Sequence, residues 1–259
     1  MKKTDEKWLF IGTDQRMLAC SRLMEEWGNN TFHYDGNEYS EELASIVDHY
    51  SPTHVVFPIL QMSHSIPVEK LKPHTKLFTG VASKDWLLPY EVAGNPVHSY
   101  LHEVEYVWEN ARLTAEGFLL EYYASTKRLV FGEEFTIAGF GKVAKATADV
   151  LSKLGASVTI LARSADQIGE ASALGYQTER LETDTLTMDG TLINTIPAQW
   201  LRVKENDQFR IFDLASAPGC LKANSPDEYY TIHLGLPGKH FPVDAAKALA
   251  AALLRMNSR

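Results

Sequence analysis

One short stretch decides the fold, namely Phe135-Thr-Ile-Ala-Gly139-Phe140-Gly141-Lys142-Val143-Ala144. It leads from an apolar run into a helical pattern through G-x-G-x-x-A, in which the first glycine makes a tight turn. The second glycine lets a phosphate approach the backbone, and the alanine allows the helix to pack closely on the strand. The following helix can donate its N-terminal N–H groups to an anion. The sequence therefore predicts a dinucleotide site with pyrophosphate contacts at Gly139, Phe140, Gly141, Lys142 and Val143.

The second strand of this unit predicts which dinucleotide binds. Ser157 to Leu161 is followed by Arg163 and Ser164, where an NAD enzyme usually presents an acidic residue to the ribose 2′-hydroxyl. A guanidinium and a hydroxyl can instead bind a 2′-phosphate through charge-assisted hydrogen bonds. We therefore predict NADP as the cofactor. The alternative is that these two residues form an ordinary solvated turn.

Two later strand ends predict the surroundings of the nicotinamide. Asn194-Thr-Ile-Pro197 and Asp213-Leu-Ala-Ser216 each close an apolar run, and ligands of open α/β sheets bind at the carboxyl ends of the strands. The predicted cofactor contacts there are Thr195, Pro197, Asp213, Ala215, Ser216 and Gly235. Other roles stay open at this point: helix caps for Thr195 and Ser216, a turn for Pro197, and an Asx-turn for Asp213.

Eleven short apolar runs alternate with helical stretches along the chain, which is the pattern of βαβ units on parallel sheets. The first set is Trp8–Ile11, Thr31–Tyr34, His54–Phe57, Lys76–Thr79 and Val97–Leu101. The second set is Phe135–Ala138, Ser157–Leu161, Tyr176–Thr178, Leu192–Asn194, Arg210–Asp213 and Tyr230–His233. We predict an α/β fold of two doubly wound, Rossmann-like parallel-sheet domains with a cleft between them.

The predicted boundaries give a flavodoxin-like substrate domain over 1–112, an NADP domain over 113–240, and a C-terminal helix over 241–259 that returns to the first domain. Between the two sets of strands, Glu103 to Thr126 indicates a turn followed by a helix with Thr114 as its N-cap. Near the end of the chain, Ala245 to Met256 carries one apolar stripe at helical spacing, which must pack against another element.

Composition excludes several classes of function. The 25 Lys and Arg residues against 33 Asp and Glu give a net charge of −8, which disfavours a nucleic-acid or anionic-membrane surface. The longest apolar run, Ala248 to Leu254, is far shorter than the roughly 18 residues of a membrane span. Asp5 and Glu6 lie where a signal peptide needs apolar residues, and the histidines do not fall into metal-ligand spacings. We expect a cytoplasmic protein without a metal site that acts on a small molecule.

Loops after the strands of the first domain supply the candidate substrate contacts. Thr13, Asp14 and Arg16 follow the first strand, and Gly80 and Ser83 follow the fourth. Gly235 to Pro242 is predicted to be a Gly/Pro-rich loop with a cation, Lys239, and an imidazole, His240, that can act as a general acid or base. Plain helix capping remains the alternative for Asp14 and Ser83, and an ordinary surface position for His240.

The motifs together resemble the family of bacterial dipicolinate synthase A subunits over nearly the whole chain. The resemblance is carried by Ile11-Gly-Thr-Asp-Gln-Arg16, Phe78-Thr-Gly80, Thr114-Ala-Glu-Gly117, the Gly139 turn, Ala162-Arg-Ser164, Asn194-Thr-Ile-Pro197, Asp213-Leu-Ala-Ser216 and Gly235-Leu-Pro-Gly238. The chain departs from this family at Ala217-Pro-Gly-Cys220, where Arg-Pro-Gly-Gly is usual.

This resemblance implies an NADP-dependent oxidation of dihydrodipicolinate, or of its hydrated tetrahydro precursor, to dipicolinate. It further implies that a flavoprotein-like B subunit is the partner and that the mother cell of a sporulating bacterium is the location. By position and chemistry, Arg16 and Lys239 are expected to bind the two carboxylates, and Thr114 is a further candidate substrate contact. Glu116 or His240 is expected to accept the proton.

Two other functions remain open. One is a 2-hydroxy-acid-type NADP-dependent dehydrogenase, for which His240 is the available histidine after the last strand of the cofactor domain, whereas the arginine that such an enzyme has near Asp213 is absent. The other is a non-catalytic NADP-binding subunit, which the missing arginine at Ala217 favours. In each case we expect a homo-oligomer.

Overall fold

The computed structural model describes residues 6–186, 190–204, 207, 209–223, 225–226 and 228–258. These residues form two compact units. The first comprises the described residues up to Asn110 and from Pro237 onward, and the second is Ala111–Leu236. No helix in the described part is long and apolar enough to span a membrane.

The first unit is built on a five-stranded parallel sheet in the order β2-β1-β3-β4-β5. Its strands are β1 Lys7–Ile11, β2 Asn30–Tyr34, β3 His54–Val56, β4 Lys76–Thr79 and β5 Val97–Ser99. Its helices are α1 Gln15–Glu26, α2 Glu41–Tyr50, α3 Lys84–Val92, the start of α4 Val104–Thr126, and α8 Pro242–Asn257.

Strand β1 lies in the interior of this sheet and shows why its sequence is uniformly apolar. Trp8 and Phe10 pack on the side of α1 and α8, whereas Leu9 and Ile11 pack on the side of α2 and α3. All four side chains are fully buried, because helices cover both faces of a parallel sheet.

The second unit is built on a six-stranded parallel sheet in the order β11-β10-β9-β6-β7-β8. Its strands are β6 Glu134–Ala138, β7 Ser157–Ala162, β8 Gln177–Arg180, β9 Thr191–Asn194, β10 Arg210–Asp213 and β11 Tyr230–Ile232. Its helices are the rest of α4, α5 Lys142–Lys153 and α6 Ala165–Ala173, and the short helix α7 Leu236–His240 begins at its end. This strand order is that of the dinucleotide-binding doubly wound fold, with the switch point between β6 and β9. The predicted fold class is confirmed.

Two local predictions were wrong. Helix α4 begins at Val104, so Thr114 is buried inside the helix and is not its N-cap. The Glu103 carboxylate lies at the start instead and accepts a hydrogen bond of 2.7 Å from the backbone N–H of Tyr106. The segment Gly235 to Pro242 is not an irregular loop, since five of its residues form α7.

The C-terminal helix α8 belongs to the first unit, where its alanine-rich face packs against α1. Its end is fixed by Asn257, whose Oδ1 lies 2.8 Å from His54 Nε2 and accepts a hydrogen bond of 2.9 Å from Lys76 Nζ. The Asn257 side-chain amide donates to Glu6 at 3.1 Å. The last turn of α8 is therefore tied to β3 and β4.

His54 gives the first unit a predictable response to acid. Its ring stacks on Trp8 with centroids 4.2 Å apart, and burial lowers its pKa although the hydrogen bond with Asn257 acts in the opposite direction. Below about pH 6.5 the unfolded chain gains a proton at this position that the folded chain resists, so the free energy of unfolding falls as the pH falls. We expect His54→Gln to flatten this decline in urea unfolding measured between pH 5 and 8.

The matched control is His64→Gln, which removes a histidine from an exposed loop of the same unit. His98, whose pKa burial also lowers, remains in both variants and leaves a residual slope. A decline as steep in His54→Gln as in the control would contradict this assignment.

Candidate dinucleotide site and candidate substrate loops

The glycine turn after β6 has one packed side and one open side. Gly139 has φ of +90°, and a Cβ there would lie 2.8 Å from Thr195 Oγ1, whose hydroxyl donates to the Ala138 carbonyl. A Cβ on Gly141 would meet no heavy atom within 4 Å among the described residues. Gly139 is thus required for packing inside the unit, whereas Gly141 leaves space at the backbone that a phosphate can fill.

The N-terminus of α5 adjoins this open space. Gly141 is the N-cap residue and no described side chain accepts a cap hydrogen bond there. Helix N-termini of this kind favour anions, because their N–H groups and the helix dipole both point at the ligand. Lys142 is exposed at the first helical position, whereas the side chain of Phe140 is buried against Tyr176. These residues fit the pyrophosphate of a dinucleotide, and Phe140 can contribute through its backbone.

Arg163 and Ser164 lie on the same edge of the sheet as the glycine turn. The turn is joined to the end of β7, since the Gly139 N–H donates to the Leu161 carbonyl at 2.8 Å. Both predicted residues are exposed, and Ser164 occupies the N-cap position of α6 without a side-chain cap hydrogen bond. No described carboxylate lies within 4.0 Å of the Arg163 guanidinium. This arrangement leaves a cation and a hydroxyl open to a ligand.

The predicted nicotinamide contact at Asp213 is corrected by the structure. Its side chain is 0% exposed and accepts four hydrogen bonds from within the unit, so no ligand can reach it. The donors are Asn194 Nδ2 at 2.8 Å, the Ala215 N–H at 3.0 Å, the Cys220 N–H at 2.6 Å and the Tyr230 hydroxyl at 2.9 Å. The bond from Ala215 is of the Asx-turn kind, and the carboxylate holds the loop after β10 in place.

The other residues of this group divide by exposure. Pro197, Ser216 and Gly235 are exposed, whereas Ala215 is buried and the Thr195 hydroxyl is used on the Ala138 carbonyl. The helix-cap alternative for Thr195 and Ser216 is wrong, because no helix follows β9 or β10 in the described residues before β11.

The loop after β1 contains an ion pair between a half-buried aspartate and a buried arginine. Asp14 caps α1 by accepting a hydrogen bond of 2.9 Å from the Arg16 N–H, and its carboxylate also binds the Arg16 guanidinium at 2.7 Å. Arg16 is 4% exposed, and although its burial acts against the charge, the hydrogen bonds with Asp14 raise its pKa. Arg16 is therefore not the free carboxylate anchor that the sequence predicts, because its charge already has an internal partner.

Helix α7 lies next to this ion pair. A Cβ on Gly238 would lie 2.5 Å from Asp14 Oδ1, so only glycine allows this approach. The contact brings Lys239, which is exposed, and His240, which is half-buried, close to the loop after β1. Thr13 is also exposed there, and its hydroxyl accepts a hydrogen bond of 2.8 Å from Asn37.

The remaining predicted substrate residues differ in exposure and in the structural role of each residue. Gly80 is a packing glycine, since a Cβ there would collide with the Ile59 carbonyl oxygen. Ser83 caps α3 by accepting a hydrogen bond from the Trp86 N–H, as its alternative assignment predicted. In the second unit, Thr114 is buried in α4 and Glu116 is exposed on the same helix.

Sequence reasoning missed a histidine–glutamate pair in the second unit. His233 Nδ1, just after β11, lies 3.6 Å from Glu121 Oε2 on α4, and both side chains are largely buried. The imidazole also stacks on Phe212 with ring centroids 5.4 Å apart. The only signal in the sequence was a histidine closing the last apolar run, which does not reveal a partner 112 residues earlier (233 − 121).

Comparison with known proteins identifies similar sequences and folds, although no family model matches the chain. The dipicolinate synthase A subunit of Bacillus subtilis (strain 168) is 27% identical over 157 residues, which are 57% of this chain and 52% of that protein. The match thus spans about half the length of the curated relative. This similarity confirms the predicted resemblance to dipicolinate synthase A subunits.

Solved structures extend the likeness to the whole chain. The dipicolinate synthase A subunit from Bacillus subtilis has a TM-score of 0.76 at 19% identity, covering 98% of this chain and 96% of that one. The A subunit from Bacillus halodurans has a TM-score of 0.78 at 20% identity, covering 99% of both chains. D-lactate dehydrogenase from Escherichia coli has a TM-score of 0.59 at 13% identity, covering 97% and 96%. These structures show a fold shared with dipicolinate synthase A subunits and a dehydrogenase.

Proposed function

We propose that this chain is an NADP-dependent oxidoreductase of the dipicolinate synthase A type. It oxidises dihydrodipicolinate, or the hydrated tetrahydro precursor after loss of water, to dipicolinate, and acts with a B subunit. The observation that carries this proposal is the edge of the second sheet, where the open backbone at Gly141 and the exposed guanidinium of Arg163 lie at neighbouring strand ends. The sequence similarity to the dipicolinate synthase A subunit supports the choice of substrate.

Each part of the cofactor has candidate residues in the second unit. Backbone N–H groups at the start of α5 bind the pyrophosphate, while Arg163 and Ser164 bind the 2′-phosphate. The exposed residues Pro197, Ser216 and Gly235 border the nicotinamide. When bound, NADP supplies a hydride acceptor at its nicotinamide ring.

The oxidation removes a hydride and a proton from the substrate ring, and this chain supplies orientation and a proton acceptor. Lys239 attracts one substrate carboxylate, whereas Arg16 keeps the loop after β1 in shape through its ion pair with Asp14. Glu116 or His240 accepts the proton, since both are titratable and neither is fully buried.

The test is an assay of the purified chain with freshly generated dihydrodipicolinate and NADP, with and without a B subunit. We expect NADPH and dipicolinate to form in equal amounts. Glu116→Gln and His240→Gln identify the acceptor, with Glu109→Gln on the same helix and His64→Gln on an exposed loop as matched controls. If no dipicolinate forms under either condition although NADPH binds, the proposed reaction is wrong.

The pair formed by His233 and Glu121 favours a second candidate function, a 2-hydroxy-acid-type dehydrogenase. A histidine held by a carboxylate is a suitable acid–base pair for a hydroxyl group that becomes a carbonyl. In this case the chain oxidises NADPH when a 2-oxo acid is supplied, and it forms no dipicolinate from dihydrodipicolinate. His233→Gln is then expected to abolish the oxidation of NADPH. Tight NADPH binding without turnover of either substrate class would instead indicate a non-catalytic NADP-binding subunit.

A further inference from the structure

A second arginine, Arg180, lies beside Arg163 at the carboxyl edge of the second sheet. Strands β7 and β8 pair in parallel with Ala162 opposite Arg180, so the residue after Ala162 and the end of β8 are neighbours. The Arg180 Nη1 lies 3.5 Å from the Arg163 carbonyl oxygen and donates to it. The Arg180 guanidinium is thereby directed at the turn that contains Arg163 and Ser164.

Neither arginine at this edge forms an ion pair with a described residue of the chain. Both side chains are exposed, and no described carboxylate lies within 4.0 Å of either guanidinium. The chain as a whole carries a net charge of −8, so carboxylates are plentiful elsewhere. Two cations on adjacent strand ends attract an anion, and they do so more strongly together than either would alone.

The position of the two arginines selects the kind of anion. The end of β7 is the place where the ribose of a dinucleotide lies when its pyrophosphate binds the glycine turn after β6. A phosphate monoester carries about −1.5 to −2 charges at neutral pH and offers three acceptor oxygens. Two guanidinium groups match that charge, and their N–H groups can donate to those oxygens. The hydroxyl of Ser164, which makes no N-cap hydrogen bond, can donate as well.

We propose that Arg180 is a second specificity-determining residue, which binds the 2′-phosphate of NADP together with Arg163. This inference rests on the proposed function, because it requires a nicotinamide dinucleotide at the glycine turn. It adds that NADP preference depends on the end of β8 as well as on the turn after β7.

The test measures the binding of NADPH and NADH to the full chain by calorimetry for wild type, Arg180→Ala and Arg180→Gln. We expect Arg180→Ala to weaken NADPH at least about tenfold, as the loss of a charge-assisted hydrogen bond predicts, and to leave NADH within about twofold. Gln keeps an N–H donor on a long side chain but carries no charge, so we expect Arg180→Gln to weaken NADPH as much as Ala does. The NADPH affinity of both variants should also depend less steeply on salt.

Arg210→Ala is the matched control, since this exposed arginine begins β10 at the opposite edge of the same sheet. Equal NADPH affinity in Arg180→Ala and the control, with Arg163→Ala still impaired, would overturn the role of Arg180 alone. Full NADPH affinity in Arg180→Gln would show that Arg180 only positions the turn, which also overturns the proposal. Failure of the wild-type chain to bind either dinucleotide would contradict the proposed function itself.

Discussion

Arg163→Asp is expected to reverse the dinucleotide preference of this chain. The change removes a cation from the end of β7 and places a carboxylate against the 2′-phosphate, so we expect NADPH affinity to fall by about 100-fold or more. NADH should bind at least as well as before, because an acidic residue at this position can accept hydrogen bonds from the ribose hydroxyl. Fluorescence titration of the reduced dinucleotides measures both affinities.

Arg210→Asp controls for this result, because it makes the same change of charge at the amino edge of the same sheet. Equal losses of NADPH and NADH affinity in Arg163→Asp would show that the variant damages the site in general. The assignment of the 2′-phosphate to this turn would then be wrong.

Asp213→Ala is expected to cause the largest loss of stability in the second unit. The variant leaves four buried or half-buried donors without their acceptor, among them the Cys220 N–H and the Tyr230 hydroxyl. A buried donor left unpaired costs about 1–3 kcal/mol, so we expect the free energy of unfolding to fall by about 3 kcal/mol or more. Trp200, whose indole donates to Asn194 Oδ1 in the same network, can report this change by fluorescence in urea.

Asp149→Ala is the control, since Asp149 is exposed on α5 and forms a surface pair with Lys153. Such surface pairs contribute about 0–1 kcal/mol. Asp213→Asn should lose less stability than Asp213→Ala, because the Tyr230 hydroxyl can turn to accept from the new amide. If Asp213→Ala is no less stable than the control, the buried network does not hold the loop after β10.

The strands of both sheets could be predicted from the sequence. Interior strands such as β1 and β9 are nearly continuous apolar runs because helices cover both faces of the sheet. The more exposed edge strands β2 and β8 were recognisable only from the turn residues around them. The start of α4 could not, since Glu103 caps the helix and Thr114 has the side chain that usually does so. Threonine is the more common N-cap residue, so the sequence pattern favours Thr114, although the helix runs through that position.

The candidate site was predictable only where it depends on the backbone. The turn at Gly139 and Gly141 follows from spacing alone. The burial of Asp213 depends instead on Cys220 and Tyr230, which lie 7 and 17 residues further along the chain and show no pattern that marks them as its partners. Arg16 likewise forms an ion pair with Asp14, only two residues earlier. The sequence shows that the two residues are close, but it does not show whether their side chains bind each other or a ligand. The neighbour of Arg163 was unpredictable because it comes from the register of β7 with β8.

The assignment of α8 to the first unit has a consequence for biosynthesis. A ribosome must make the whole of Ala111–Leu236 before it makes α8, and at about 5–20 residues per second this takes on the order of ten seconds. The second unit is continuous in the chain and can fold during that interval. The face of α1 that α8 later covers remains open meanwhile, so the part of the protein that is synthesised first completes its folding last.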